Sequence, residues 1–143
     1  MKFTINAEAK NSLARAGEFE TTRNVLHTPC FMPVGTHGAV NGMLPSALLD
    51  MGAEIIVSNA FRLSEHPGKA IISKYEGLHE FMGWPRTILT DSGGFQSRLR
   101  EHAINEKGIQ FYDENAQEIW TPEDAIAMQI VLNSDFVMPL DIC

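Results

Sequence analysis

The order of apolar and polar stretches predicts an α/β fold built on a parallel sheet with helical crossovers. Three observations carry that expectation. Strand-like and helix-like segments alternate from Cys30 onward. "EIIVSNA" is apolar at the consecutive positions Ile55, Ile56 and Val57, the pattern of a strand covered on both faces. Polar residues gather where strands end, at Gly35-Thr36, Ser58-Asn59, Asp91-Ser92 and Asp141. In parallel α/β folds the chemistry sits at those C-terminal strand ends.

The elements follow in order. Residues 3–28 read as short strands and turns, punctuated by Gly17 and "TTRN". "CFMPVGT" is a short first strand of the parallel sheet, ending at Gly35. "MLPSALLDMG" reads as a helix: Pro45 suits its first turn, Leu48 and Met51 share a face, and Gly52 stops it. Residues 54–60 are the second strand. "HPGKAIISKYEG" reads as a helix closed by Gly77, and "LHEFMGWP" as a compact aromatic segment. "TILTDSG" is the third strand. Residues 104–120 read as an inserted hairpin of two antiparallel strands, with a polar turn at 113–117. Thr121 then caps a helix with Pro122 at its first position and Glu123 and Asp124 against its dipole. Ile126 and Ile130 lie one turn apart on it, as do Met128 and Leu132. "DFVMPLD" is the fourth strand. Pro139 removes a ladder donor inside it, so a bulge or an unpaired edge is expected there.

At 143 residues the chain is expected to form one domain, 1–143. A chain of that size buries roughly 68–70% of its unfolded surface, enough for a real core. No run of 18 apolar residues exists, so no membrane span is expected. The N-terminus lacks a continuous apolar segment, which points to a cytoplasmic protein. Neither Cys30 nor Cys143 belongs to a C-x-x-C pair, and the five histidines are scattered, so no metal site is expected within this chain. Cys30, between Pro29 and Phe31, reads as a buried packing residue. The net charge of −7 argues against a stand-alone nucleic-acid binder, whose affinity rests on a basic patch. Any phosphate contacts would have to come mostly from elsewhere.

The most informative stretch is "LTDSGGFQ", residues 89–96. A carboxylate, two glycines, an aromatic ring and an amide follow one apolar strand. A tight turn needs only the glycines. An Asp after a strand commonly caps the next turn, and a Phe commonly joins the core. Together on one rim they also suit a flat polar ligand. Asp91 and Asp141 can divide acid–base work, or one can bind while the other reacts. A carboxylate accepts two hydrogen bonds, as the N1–H and N2–H₂ edge of guanine offers. Gly93 and Gly94 let a ligand approach the backbone, Phe95 can stack on a base, and Gln96 can bond its edge.

The sequence resembles the bacterial tRNA-guanine transglycosylases (queuine tRNA-ribosyltransferases). "TPCFMPVGTHGAVNGMLP", "GAEIIVSNAFRLSEHPG", "LHEFMGWPRTILTDSGGFQ" and "TPEDAIAMQIVLNSDFVMPLDIC" carry the resemblance, in order and over nearly the whole chain. It implies a (β/α)₈ barrel, of which this chain holds the first half, about four β/α units. It implies exchange of guanine at the tRNA wobble position for a 7-deazaguanine. That exchange is a double displacement through a covalent ribosyl–enzyme intermediate. Asp91 is implied as the general acid/base and Phe95 as the stacking ring. Ser92 and Gln96 flank the pocket, Asp141 reads the N–H edge, and Cys143 is the cysteine two residues after it.

The chain departs from the family pattern in three places: Ile142 stands where a Glu is usual, Arg62 where a His is usual, and Ser97-Arg98-Leu99 replaces "VFSL". A (β/α)₈ barrel needs about 250 residues. The resemblance therefore places the nucleophilic Asp, the Gly-rich base-contacting loop, the Cys₃-His zinc site and the basic tRNA surface beyond residue 143. The expectation is a fragment or truncated relative that is inactive alone, with a homodimer or a complementary C-terminal half as partner. The alternative is a non-catalytic base-binding or partner module. A barrel glycoside hydrolase using Asp91 and Asp141 is the third reading.

Overall fold

The structure is a computed structural model that describes every residue except Arg100, Glu114, Asn115 and Cys143, with the backbone alone of Asp113, Ala116, Gln117 and Glu118. The chain is a mixed α/β fold of three small sheets. β1 (Lys2–Glu8), β2 (Arg15–Glu20) and β3 (Val25–Thr28) form an antiparallel meander. α1 (Pro45–Asp50) leads to β4 (Ile55–Asn59). α2 (Ala60–Glu65), α3 (Lys69–Ile72) and α4 (Leu78–Met82) cross over to β5 (Thr87–Asp91). A 3-10 helix over Gly94–Leu99 follows. β6 (His102–Asn105), β7 (Gly108–Asp113) and β8 (Ala116–Trp120) form a second antiparallel sheet. α5 (Pro122–Leu132) then returns the chain to β9 (Phe136–Val137).

The third sheet is the parallel one, in the order β4-β5-β9. Val34 adds a parallel bridge to Val57 on its outer side. That bridge is closed by Gly35 N–H donating to Val57 O at 2.7 Å and Val57 N–H to Pro33 O at 3.0 Å. Four successive strand segments therefore lie side by side in chain order. The helices cover one face, where Ile56, Ser58, Ile88 and Thr90 are buried. The other face is less covered. Val34, Val57, Leu89 and Phe136 lie in register along it, none of them buried. Among the described residues the sheet does not close on itself.

The core is centred on Phe61 of α2, which packs on Phe111 at 4.6 Å and edge-on to Trp120 at 5.2 Å. Leu48, Ile72, Leu78, Trp84, Ile88 and Met128 join it. The inserted sheet is thereby welded to the crossovers. Below the parallel strands Asp135 ties three elements together. It accepts from Arg23 Nε at 3.0 Å, meets His79 Nε2 at 3.0 Å and accepts from Ile88 N at 2.8 Å.

Several expectations need correction. The helix predicted over 66–77 does not form. Pro67 lacks an N–H and Gly68 sits at φ 91°, so only α3 is helical there. Gly77 instead starts α4 at φ 112°, where a Cβ would lie 2.7 Å from Asn133 Cβ. An unpredicted helix, α2, begins at Ala60. The predicted two-stranded insertion is three-stranded, because the chain also turns between Asn105 and Gly108. Of its predicted polar turn, Glu114 and Asn115 lie outside the described residues. The first predicted strand of the parallel sheet is reduced to the bridge at Val34, and the fourth to Phe136–Val137. The ladder ends before Pro139, in line with the missing donor. Met51 is exposed because α1 has already ended, so it does not share the buried face of Leu48. Cys30 is exposed rather than buried. It follows Pro29 along the uncovered Val34 edge and lines a groove of about 550 Å³ with Phe31, Val34, Val40 and Leu48. Among the described residues no helix is long and apolar enough to cross a membrane.

Candidate functional site

The strand ends converge as the sequence predicts. Asn59 and Asp91 are direct neighbours in the parallel register of β4 and β5. Ser92 follows β5, and its hydroxyl donates to Asp141 Oδ1, beyond β9. Asp141 N–H reaches the same hydroxyl at 3.3 Å. Ser58 Oγ–H donates to Gly35 O at 2.8 Å. Asp91, Ser92, Gly93, Gly94, Phe95, Gln96 and Asp141 therefore share one rim. Cys143 lies outside the described residues.

Each residue of "TDSGGFQ" has a distinct setting. Asp91 Oδ1 accepts from Asn59 Nδ2 at 2.7 Å and from Gly93 N at 2.9 Å. Burial pushes its carboxyl above the ordinary value, those two bonds oppose the rise, and the nearby Asp141 adds to it. Ser92 is buried and held from both sides, its carbonyl accepting from Trp120 Nε1 at 2.8 Å. The space beside both glycines is filled by the chain itself. A Cβ on Gly93, at φ 85°, would lie 2.3 Å from Phe61 Cβ, and one on Gly94 would lie 1.6 Å from Asp141 O. The glycines thus admit α2 and the segment after β9 to the rim. Phe95 is 53% exposed, with its ring outside the core. Gln96 is buried, with Oε1 accepting from Asn59 Nδ2 at 2.8 Å.

Asn59 is the residue to which sequence reasoning gave no role. It was placed on the rim only as a polar strand end. Its local signal is that of a helix cap before "AFRL", and its Oδ1 does accept from Arg62 N at 2.7 Å. Arg62, one of the departures, turns its guanidinium to Glu65 at 3.1 Å. Ile142 is exposed beside Asp141.

Chemically, the rim offers a desolvated carboxyl, a second carboxyl, an exposed aromatic face and a buried amide. Such a set can exchange a proton with a flat ring and bond its edge.

The profile of the queuine tRNA-ribosyltransferase family matches residues 10–143. The chain belongs to the queuine tRNA-ribosyltransferase family. It is 46% identical to the queuine tRNA-ribosyltransferase of Dictyoglomus turgidum (strain DSM 6724 / Z-1310) over 147 aligned residues, covering 100% of this chain and 38% of that protein. To the queuine tRNA-ribosyltransferase of Psychrobacter sp. (strain PRwf-1) it is 45% identical, over 100% of this chain and 39% of the relative. The protein of that name from Xylella fastidiosa (strain 9a5c) is 46% identical, over 99% of this chain and 38% of the relative. The chain thus spans about two fifths of the length of these curated relatives. Among the described residues no group of three or more His, Cys, Asp or Glu side chains is placed to hold a metal ion. The zinc site expected from the resemblance thus has no ligand set among the described residues.

Proposed function

We propose that this chain is the N-terminal part of a (β/α)₈ barrel that exchanges guanine in tRNA for a 7-deazaguanine, and that it is inactive alone. The barrel reading is supported by four parallel strand segments in chain order and by the row Val34, Val57, Leu89 and Phe136 on the face that the helices leave uncovered. Purely parallel strands need cover on both faces, and a barrel provides it by turning that row inward.

The observation that carries the function is the setting of Asp91. It is a desolvated carboxyl with one oxygen tied down, and it opens on the rim that holds Phe95 and Asp141. In the proposed reaction a nucleophilic carboxylate from the remainder of the barrel attacks the ribose C1′ and guanine leaves. Asp91 donates a proton to the departing base, then takes one from the incoming base as the ribosyl ester is displaced. Phe95 stacks on the ring and Asp141 accepts from its N–H edge. Ser92 holds Asp141, and Gln96 borders the pocket. The substrates are tRNA and the free base, and a complementary C-terminal half supplies what this chain lacks.

The test is incorporation of labelled guanine into tRNA. The 143-residue chain is assayed alone, and again completed by the remaining part of the Dictyoglomus turgidum relative. Exchange is expected only in the completed protein. Asp91→Asn should abolish it while leaving tRNA binding intact, and Asp141→Ala should weaken capture of the base. Normal exchange by the Asp91→Asn protein would remove Asp91 from the mechanism. Base binding without exchange in the completed protein would favour a non-catalytic binding module instead.

A further inference from the structure

We infer that Asn59 is a positioning residue that confines the exchangeable proton of Asp91 to a single oxygen, Oδ2. Its value for catalysis rests on the transglycosylase reading, whereas its geometry does not.

The argument starts at the cap of α2. Asn59 is 4% exposed, and its Oδ1 accepts from the backbone N–H of Arg62 at 2.7 Å. A backbone N–H can only donate, so this bond decides which way the amide faces. Nδ2 must then point to the rim. Its two hydrogens meet two acceptors, Asp91 Oδ1 at 2.7 Å and Gln96 Oε1 at 2.8 Å. Turning the amide over would break all three bonds at once. The unit is rigid because Asn59 is both the last residue of β4 and the cap of α2.

The consequence falls on Asp91. Its Oδ1 also accepts from Gly93 N at 2.9 Å, so two N–H groups point at that oxygen. A proton placed on Oδ1 would oppose both donors. Protonation is therefore directed to Oδ2, which receives no hydrogen bond from the described residues. The charged group bearing on Asp91 is Asp141, from the segment after β9. It disfavours a second negative charge and so works with burial to keep the proton available. A single oxygen that carries the proton is what an acid that hands it to one ring atom requires, because no reorientation is then needed at the moment of transfer.

The test is a titration of Asp91 in the full chain without ligand, followed through its ¹³C-labelled carboxyl carbon and assigned with Asp91→Asn. Two variants are compared with the parent. Asn59→Ser keeps a capping oxygen and removes both donors. Asn59→Asp keeps the cap and replaces the donors by a carboxyl. Both should raise the Asp91 midpoint, Asn59→Ser by about one pH unit, a tenfold change in the protonation equilibrium, and Asn59→Asp by more. Melting curves and far-UV circular dichroism accompany each titration. A midpoint that stays put or falls, in a variant that melts with the parent, overturns the inference. A merely structural cap would leave that midpoint unmoved. The titration contains no tRNA or base, so it can succeed while the exchange assay fails, and the reverse.

Discussion

Gly94 has no room for a side chain, because its missing Cβ would overlap the carbonyl oxygen of Asp141. Gly94→Ala must push the segment after β9 away and part Ser92 from Asp141. A loss of at least about 2 kcal/mol is expected in urea unfolding, whereas the same change at a glycine facing open space would cost far less. Asp91 makes the second prediction at this scale. Its carboxyl is held above the ordinary value in the folded chain, chiefly by burial. The folded state therefore binds this proton more tightly than the unfolded state does. The resulting stability is complete below the ordinary value and is lost as pH rises through the folded value. Asp91→Asn removes the titration. It should melt above the parent at neutral pH, with the gap closing as pH falls towards about 4. Equal melting at neutral pH would contradict the direction of the shift.

At the scale of elements, Asp135 joins β3's approach, α4 and β5 through Arg23, His79 and the N–H of Ile88. Its side chain is nearly buried. Burial lowers the affinity of His79 for a proton, and Asp135 opposes that. Asp135→Ala strips three groups of their acceptor and should cost about 3–5 kcal/mol by chemical denaturation. The start of α5 was legible. Thr121 and Asp124 form a reciprocal capping box, and Thr121→Ala should cost about 1 kcal/mol. Of its two apolar pairs the structure buries Met128 and Leu132 and leaves Ile130 70% exposed. Spacing alone cannot choose between two stripes that are each one turn long. α2 was not foreseen: its six residues are short, and they follow directly on the residues 54–60 that read as a strand.

On the scale of the whole molecule, the parallel sheet is unfinished at both of its edges among the described residues. Val34 is 60% exposed on one side of the parallel sheet, and Val137 is half exposed on the other. Strand edges with apolar neighbours invite pairing with another chain. In sedimentation the isolated chain should self-associate, and adding the complementary part of a relative should replace those assemblies by one defined complex. A monodisperse monomer with a cooperative melt would count against the half-barrel reading. The groove beside Cys30 and Phe31 belongs to this uncovered side, which explains why a thiol flanked by apolar residues is exposed.

The sequence by itself determined the α/β alternation, the capped helix α5, the rim to which strand ends deliver their polar groups, and the family. These are local or near-local properties: apolar runs, caps and contiguous motifs. Only the tertiary structure decided which neighbours the rim residues have. "SGG" reads as open space for a ligand until Phe61 and Asp141, distant in the chain, are seen to fill the space beside both glycines. Asn59 reads as a polar strand end until Asp91 and Gln96 are found against its amide. Contacts across 32 and 37 residues leave no periodic trace in a single sequence, because either partner alone satisfies the local rules of its own element.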